Sequence, residues 1–429
     1  MEQSSRFNRR HLLKASLAMG GSLALGSGAR LSSGQDLSSS AARAWSPTAS
    51  PPPLARDARR PVPLRVGVNE LIDIKCCLRP FRPFGPRLEA EQIGDTLVIH
   101  NYGHGGSGWS LSWGSAEIAV GKAMSVLPKE IAVIGCGIIG LTAAVVAQRA
   151  GAKVTIYARE MIYTTRSFRA GGVWSPDSRI SLTEQAGPQF GELWERMARL
   201  SWKSWRTYLG LPERPVEFGD YYVLSDKPIE PPPEELDPGM GTFATTGMPR
   251  QNAEFGSYSD RIKDIIPQPE TVAPEANPFG TPHAQRSSML HFNFAAYTHL
   301  LMGEFFASGG KFENRDFHSP ADVVALKEKV VINCPGYAGR DLWRDKTIIP
   351  VRGQTGWLVP QPEANYGISY SNVLLFSKSD GVLAMYFSDV ELGDMLGVGD
   401  SNELPDRRPI ERGLTTIAPL FERMKTRVA

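Results

Sequence analysis

EIAVIGCGIIGLTAAVVAQRAGAKVTIYARE, residues 130–160, is the stretch whose reading decides the fold. Ile131–Ile134 is a short apolar run suited to a parallel strand buried on both faces. GCGIIG at 135–140 then fits G-x-G-x-x-G. In that pattern Gly135 permits a tight turn, Gly137 lets backbone approach a pyrophosphate, and Gly140 allows close helix–strand packing. Leu141–Ala150 reads as a helix with Gly151 as its stop, and Lys153–Tyr157 as a second strand, which completes a βαβ unit. A helix N-terminus offers free N–H groups and a positive dipole end, so a dinucleotide's pyrophosphate belongs there. Glu160, twenty residues beyond Gly140, is placed to hold a ribose hydroxyl, whereas Arg159 beside it suits a 2′-phosphate. The loop alone therefore leaves a flavin and a nicotinamide dinucleotide both open.

The surrounding 429 residues set the wider limits. With 41% apolar and 21% charged residues, the chain can bury a large core in two domains, or in one elaborated α/β domain. Its formal net charge is +2 (47 Lys and Arg against 45 Asp and Glu), which excludes nucleic acid as the main partner because no single-sign surface is available to neutralise phosphates. Nine basic and three acidic residues fall within 1–60, so the remainder carries −4. Four cysteines without C-x-x-C spacing make neither a disulfide scaffold nor a zinc site.

That basic surplus has a pattern. Arg9 and Arg10, followed by Leu12, Leu13, Lys14 and a weakly apolar run, resemble a bacterial twin-arginine export signal, expected over residues 1–31. The expectation is export, with the export machinery as a partner and a periplasmic or extracellular location. Residues 32–61 are rich in Ser, Ala, Pro and Arg and read as a disordered linker.

Beyond the glycine loop, AREMIYTTRSFRAGGVWSP (158–176), FGDYYVLSD (218–226), the helix-like YTHLLMGEFFASGGKFENRDF (297–317), VVINCPGYAG (330–339) and VRGQTGWLV (351–359) resemble, in order, segments of the D-amino-acid oxidase family of FAD-dependent oxidoreductases. That family's closing R-P-x-R-P and H-N-Y-G-H-G-G segments occur here ahead of the loop, as CLRPFRPFGPRLE (77–89) and LVIHNYGHGGSGWSLSWGSAEIAVGKAM (97–124). The order looks like a circular permutation, which closely spaced domain termini make physically feasible. The expected fold is α/β, a Rossmann-type FAD-binding domain with an interleaved mixed-sheet substrate domain. Residues 62–124 would form the permuted module, and 125–429 the Rossmann core with segments of the substrate domain.

The resemblance implies oxidation of a D-amino acid at Cα with the hydride passing to FAD. The imino acid is hydrolysed to a 2-oxo acid and ammonia, and oxygen is reduced to hydrogen peroxide. No obligatory catalytic acid or base is implied, only orientation and electrostatics. Arg79 matches the arginine that clamps the substrate carboxylate, a role suited to a planar guanidinium fork; Arg82 is expected to be structural. Gly135, Gly137, Ile138 and Gly140 match the pyrophosphate site, and Arg159 and Glu160 the adenosine ribose. Thr165, Arg166 and Ser167 match the next turn, and Gly171, Gly172 and Val173 the segment along the flavin. Phe317 and Pro335 match two further contacts, and Gly105, Gly106, Ser107, Gly108, Trp109 and Ser110 the loop closing on the isoalloxazine. His100 and His104 are expected to be structural.

Two departures concern the substrate pocket. The family's tyrosine for the substrate carboxylate has Tyr370 as its nearest candidate, and the family's L-G-G is replaced by Leu383–Ala384–Met385. Other readings are a glycine or amine oxidase or dehydrogenase of the same fold, a catalytically weakened flavin-binding protein, and, on Arg159 alone, an NAD(P) dehydrogenase. A homodimer is compatible with all of them.

Overall fold

The computed structural model describes residues 61–229, 254–387 and 393–428. The expected leader, and all of the linker but Pro61, lie outside them. In chain order the strands are β1 (Leu71–Phe81), β2 (Ala90–Ile93), β3 (Thr96–His100), β4 (Glu130–Ile134), β5 (Lys153–Ala158), β6 (Val216–Ser225) and β7 (Glu270–Val272). They continue as β8 (His283–Phe292), β9 (Lys311–Asn314), β10 (Val330–Asn333), β11 (Ile349–Leu358), β12 (Tyr366–Tyr370), β13 (Val373–Lys378) and β14 (Gly381–Tyr386). Five longer helices are α1 (Gly108–Ala123), α2 (Ile138–Arg149), α3 (Phe190–Arg206), α4 (Phe294–Ala307) and α5 (Arg407–Val428).

The glycine-loop unit forms as its sequence predicts. β4 pairs in parallel with β5, joined by α2, and Gly151 at φ +97° ends the connection. These strands belong to a six-stranded sheet ordered β2-β3-β10-β4-β5-β9, parallel except for β2 at its edge. Ile131, Val133 and Ile156 are fully buried between the helices that cover this sheet, as an apolar parallel strand requires. The helix-like run at 297–317 is shorter than its sequence suggests. α4 stops at Ala307, Gly309 takes φ +79°, and the remainder turns into β9.

The second sheet is mixed, with eight strands ordered β1-β11-β14-β13-β12-β6-β8-β7. One face packs on α5 in a cluster containing Leu64, Val66, Tyr366, Ile368, Ile410, Leu414 and Met424. The opposite face joins the main core through Tyr221, Phe376 and Leu383.

Residues 62–124 are shared between both sheets. β1 pairs antiparallel along β11, with Arg79 opposite Val351, and β3 lies parallel to β10. α1 buries Trp109, Leu111, Trp113, Ala116 and Val120 in the same cluster as Ile131 and Leu141 of the glycine-loop unit. The chain ahead of the glycine loop is thus built into the core on which the loop rests.

Candidate active site

The glycine loop is fixed by sterics. Gly135 adopts φ +92°, and a Cβ there would strike the Cys334 carbonyl oxygen; a Cβ on Gly140 would strike that of Gly135. Any larger residue would push α2 away from β4 and β10. At the helix's first turn, Ile138 N–H donates to the Ser167 hydroxyl at 3.0 Å, and a Cβ on Gly137 would stand 3.0 Å from that same oxygen. Ser167 thus joins the turn after β5 to the loop before α2.

A cavity of about 520 Å³ opens from this loop. Gly137 and Ile138 line one part of its wall, followed by Arg166, Ser167 and the Gly171–Val173 segment. Gly105, Gly106, Gly108 and Trp109 line another part, and Arg79 a third. Gly105 (φ +54°) lies so close to the Arg179 backbone that a Cβ would overlap its carbonyl oxygen. Gly106 N–H and the Ser107 hydroxyl both bond the Ser178 carbonyl, at 2.9 and 3.0 Å. Trp109 is buried among Trp205, Phe292 and Phe294 and donates its indole N–H to the Ser167 carbonyl at 2.8 Å.

Other expected positions stand behind or beside the wall. Gly135, Gly140, Ser107, Ser110 and Thr165 support it: the Ser110 hydroxyl accepts from Ser175 N–H at 2.8 Å, and the Thr165 hydroxyl donates to the Ile162 carbonyl. Pro335 precedes the Gly336–Ala338 turn next to Gly135. Arg159 and Glu160 follow β5 as a loose surface pair at 3.9 Å. Phe317 packs edge-on against Tyr157 and carries the Arg315 guanidinium on its ring.

One expected residue is misplaced. Tyr370 does not line the cavity; its hydroxyl donates to Asp226 at 2.7 Å, and the Arg423 guanidinium lies over its ring. The reason is strand alternation: Tyr366, Ile368 and Tyr370 all belong to the α5-side cluster, which turns this face of β12 away from the cavity. The tyrosines on the cavity wall are Tyr102, Tyr221 and Tyr337.

The two arginines of LRPFRP separate cleanly. Arg82 donates to Thr347 and the Gly85 carbonyl and pairs with Asp345 at 3.1 Å, which makes it structural. Among the described residues Arg79 donates only to the Arg352 carbonyl, at 3.3 Å, and forms no ion pair. A half-buried guanidinium on a cavity wall with no carboxylate of its own is suited to receive one from a ligand.

Several wall residues carried no sequence signal. Arg179 holds φ +49° and pairs with Asp394 at 3.5 Å, also donating to the Asp394 carbonyl at 2.8 Å. Burial, helped by the nearby Arg79 charge, brings its pKa down to about 10. Asp177 is buried, and burial pushes its carboxyl up to about 6. Arg166, expected in the turn after β5, is paired with Glu403. Met385, from the altered L-G-G position, lines the cavity next to Gly171.

His100 is a structural hydrogen-bonder: its Nε2 contacts Glu91 at 2.9 Å and its Nδ1 contacts the Asn333 amide at 3.0 Å. His104 is buried with its Nε2 unpartnered, and the burial holds its pKa down to about 3. Asn101, wholly buried on the cavity wall, has neither its amide oxygen nor its nitrogen bonded. Orphaned buried polar atoms beside a cavity mark where a polar ligand completes the site. Together with the loop glycines, they suit a cavity that would hold a dinucleotide.

A family model described as FAD dependent oxidoreductase (DAO) matches residues 130–426. A D-amino-acid oxidase of Streptomyces coelicolor is 30% identical over 227 residues, which are 52% of this chain and 58% of that protein. A D-aspartate oxidase of Cryptococcus neoformans is 54% identical over 52 residues, 12% of this chain and 13% of the relative. The matched part thus spans little more than half of the Streptomyces protein. The solved structure of glycine oxidase from Geobacillus kaustophilus aligns with a TM-score of 0.43 at 12% identity, covering 68% of this chain and 79% of the other. With a glycine loop opening onto a cavity and a family match over residues 130–426, this chain belongs to the FAD-dependent oxidoreductases of the DAO family, and its cofactor is FAD.

Proposed function

We propose that the protein is an FAD-dependent oxidase that deaminates D-amino acids to 2-oxo acids and ammonia while reducing oxygen to hydrogen peroxide. The observation that carries this reading is Arg79, a cavity-wall guanidinium without an acidic partner, in the same cavity as the glycine loop. The D-amino-acid and D-aspartate oxidases among its relatives support the substrate class. Bound FAD supplies a hydride acceptor for the substrate Cα. The chain's part is to bind and orient. Arg79 takes the substrate carboxylate through two parallel N–H donors, Gly353 beneath it leaves the space its guanidinium occupies, and Trp109 and Met385 narrow the apolar part of the cavity. The test is a peroxide assay of purified yellow protein against paired D- and L-amino acids and glycine. Activity confined to D-enantiomers is expected; activity confined to glycine or L-amino acids would overturn the reading.

The pyrophosphate assignment of Gly135, Gly137, Ile138 and Gly140, and the isoalloxazine assignment of 105–110, remain part of this proposal. So does the permuted order. Residues 62–124 lie outside the family match, yet they supply Arg79 and the 105–109 wall of the cavity. The C-terminal helix α5 also shares a core cluster with Leu64 and Val66, as the two ends opened by cutting the family's chain there would. Export through the Arg9–Arg10 leader completes the proposal. Replacing both arginines by Lys should retain the protein in the cytoplasm with its flavin intact, and unchanged secretion would refute export by this route.

A further inference from the structure

Among the described residues, Leu127 is the most exposed large apolar side chain, at 81%, and Val126 beside it is 57% exposed. They sit in the turn between α1 and β4, where Met124–Val126 winds once more and the Leu127 N–H donates to the Met124 carbonyl at 3.0 Å. Leu127 does so at φ +50°, a left-handed conformation in which its Cβ crowds the backbone and which glycine or asparagine takes more easily. A leucine here costs the fold twice, in backbone strain and in apolar surface left in water. Nothing inside the chain offsets either cost, and a local conflict of this kind belongs to a functional surface.

The turn borders a basin of about 780 Å³ at the opposite ends of the parallel strands from the glycine loop. Lys129 precedes β4, Lys153 opens β5, and Lys327 and Lys329 precede β10, so the strands bring four exposed lysines to one edge. Lys129 and Lys153 have no ion pair among the described residues. Lys329 meets Asp95 at 3.0 Å, and Lys327 lies 3.8 Å from Glu328, whose carboxylate is 1% exposed and accepts from the Tyr157 hydroxyl. The acidic side chains of the basin that reach solvent are therefore Asp95 and Glu130, two against four lysines. That excess of positive charge stands on a body, residues 61–429, whose own balance is −4.

We propose that this edge is a docking surface for an anionic lipid bilayer, in which Val126 and Leu127 enter the acyl boundary and the four lysines meet lipid phosphates. Charge complementarity selects the occupant: apolar side chains beside a set of lysines match hydrocarbon beneath a layer of phosphates. The contact is a turn and not a span, and no helix among the described residues is long and apolar enough to cross a membrane. The glycine loop and its cavity lie at the other ends of the same strands, clear of the contact, so the proposal stands apart from the oxidase reading.

Sedimentation of the full-length FAD-loaded protein with vesicles tests this, using phosphatidylcholine alone and phosphatidylcholine mixed with an equal part of phosphatidylglycerol. The parent should bind the phosphatidylglycerol vesicles, leave them at high salt, and ignore phosphatidylcholine. Leu127→Asn should weaken binding about tenfold, the scale of one leucine withdrawn from an apolar phase. Its thermal midpoint should stay level or rise, because asparagine suits the left-handed turn. Lys129→Gln combined with Lys153→Gln should also weaken binding about tenfold, and flavin content should be unchanged in every variant. No binding by the parent, equal binding to both kinds of vesicle, or binding that survives both variants, as attachment through the basic leader would, overturns the proposal. A parent that ignores vesicles but self-associates, and loses that in Leu127→Asn, assigns the surface to a second copy of the chain and overturns it too.

Discussion

The guanidinium of Arg79 lies over Gly353 on the neighbouring strand β11, where a Cβ would stand 2.5 Å from its Cζ. The obstructed atoms are the free end of a flexible side chain, so Gly353→Ala should fold and keep its FAD. The guanidinium must then move off the position it holds against the Arg352 carbonyl. The expected result is a rise in KM for the amino acid of about ten- to a hundredfold, because small misplacements of a binding group are costly. Steady-state kinetics with a flavin absorbance reading check it.

Gly105 has no such freedom. It stands at φ +54°, and its would-be Cβ meets the Arg179 carbonyl oxygen, which is backbone. Gly105→Ala must separate the 103–108 loop from the 178–179 segment, at a cost of about 2–4 kcal/mol of stability from strain and lost packing. Thermal unfolding should show a lowered midpoint and the purified protein a reduced flavin content.

Acid should weaken the fold through His104. Its imidazole stays neutral when folded because burial holds its pKa down to about 3, against an ordinary value of 6.5. Below pH 6.5 the unfolded chain takes up a proton that the folded chain refuses. Stability is therefore fully present above about 6.5 and falls as the pH drops towards 3, by about 2 kcal/mol at pH 5 from this residue alone. Denaturant unfolding across this range should show a smaller loss of stability on acidification in His104→Gln than in the parent.

The permuted order predicts tolerance of reversal. If residues 62–124 occupy a place that the family fills from its C-terminal end, moving them behind residue 428 through a short linker should preserve β1–β11 pairing and the cavity. Such a rearranged protein should bind FAD and retain the parent's activity. A rearranged chain that never folds, with linker length varied, would count against the permutation.

The legible part of this molecule was what backbone geometry dictates. GCGIIG permits one kind of turn between a buried strand and a helix, and Gly105, Gly135 and Gly140 each sit where a side chain would strike backbone. Arg79 is singled out by its motif and lines the cavity, while its difference from Arg82 lies in Asp345 and Thr347, which occupy the latter. Tyr370 was misplaced because distance along the chain does not say which face of a strand a residue takes. The β12–β13 hairpin, turned by Ser371 and Asn372 at positive φ, sets that face. Asp177, Arg179 and Asp394 were missed for another reason. They meet through a loop near Ser259 and a turn at 393–395, neither of which carries a local pattern.

The most direct test mixes the purified yellow protein with D-amino acid in the absence of oxygen and follows the flavin's visible absorption, alongside Arg79→Leu. The account predicts that the visible bands bleach with a D-amino acid such as D-alanine and return when air is admitted. They should persist with the L-enantiomer, and with either enantiomer in Arg79→Leu, which still holds FAD but has lost a carboxylate contact worth about 3–5 kcal/mol. Bands that remain unchanged with every D-amino acid, or that bleach equally in Arg79→Leu, would contradict it.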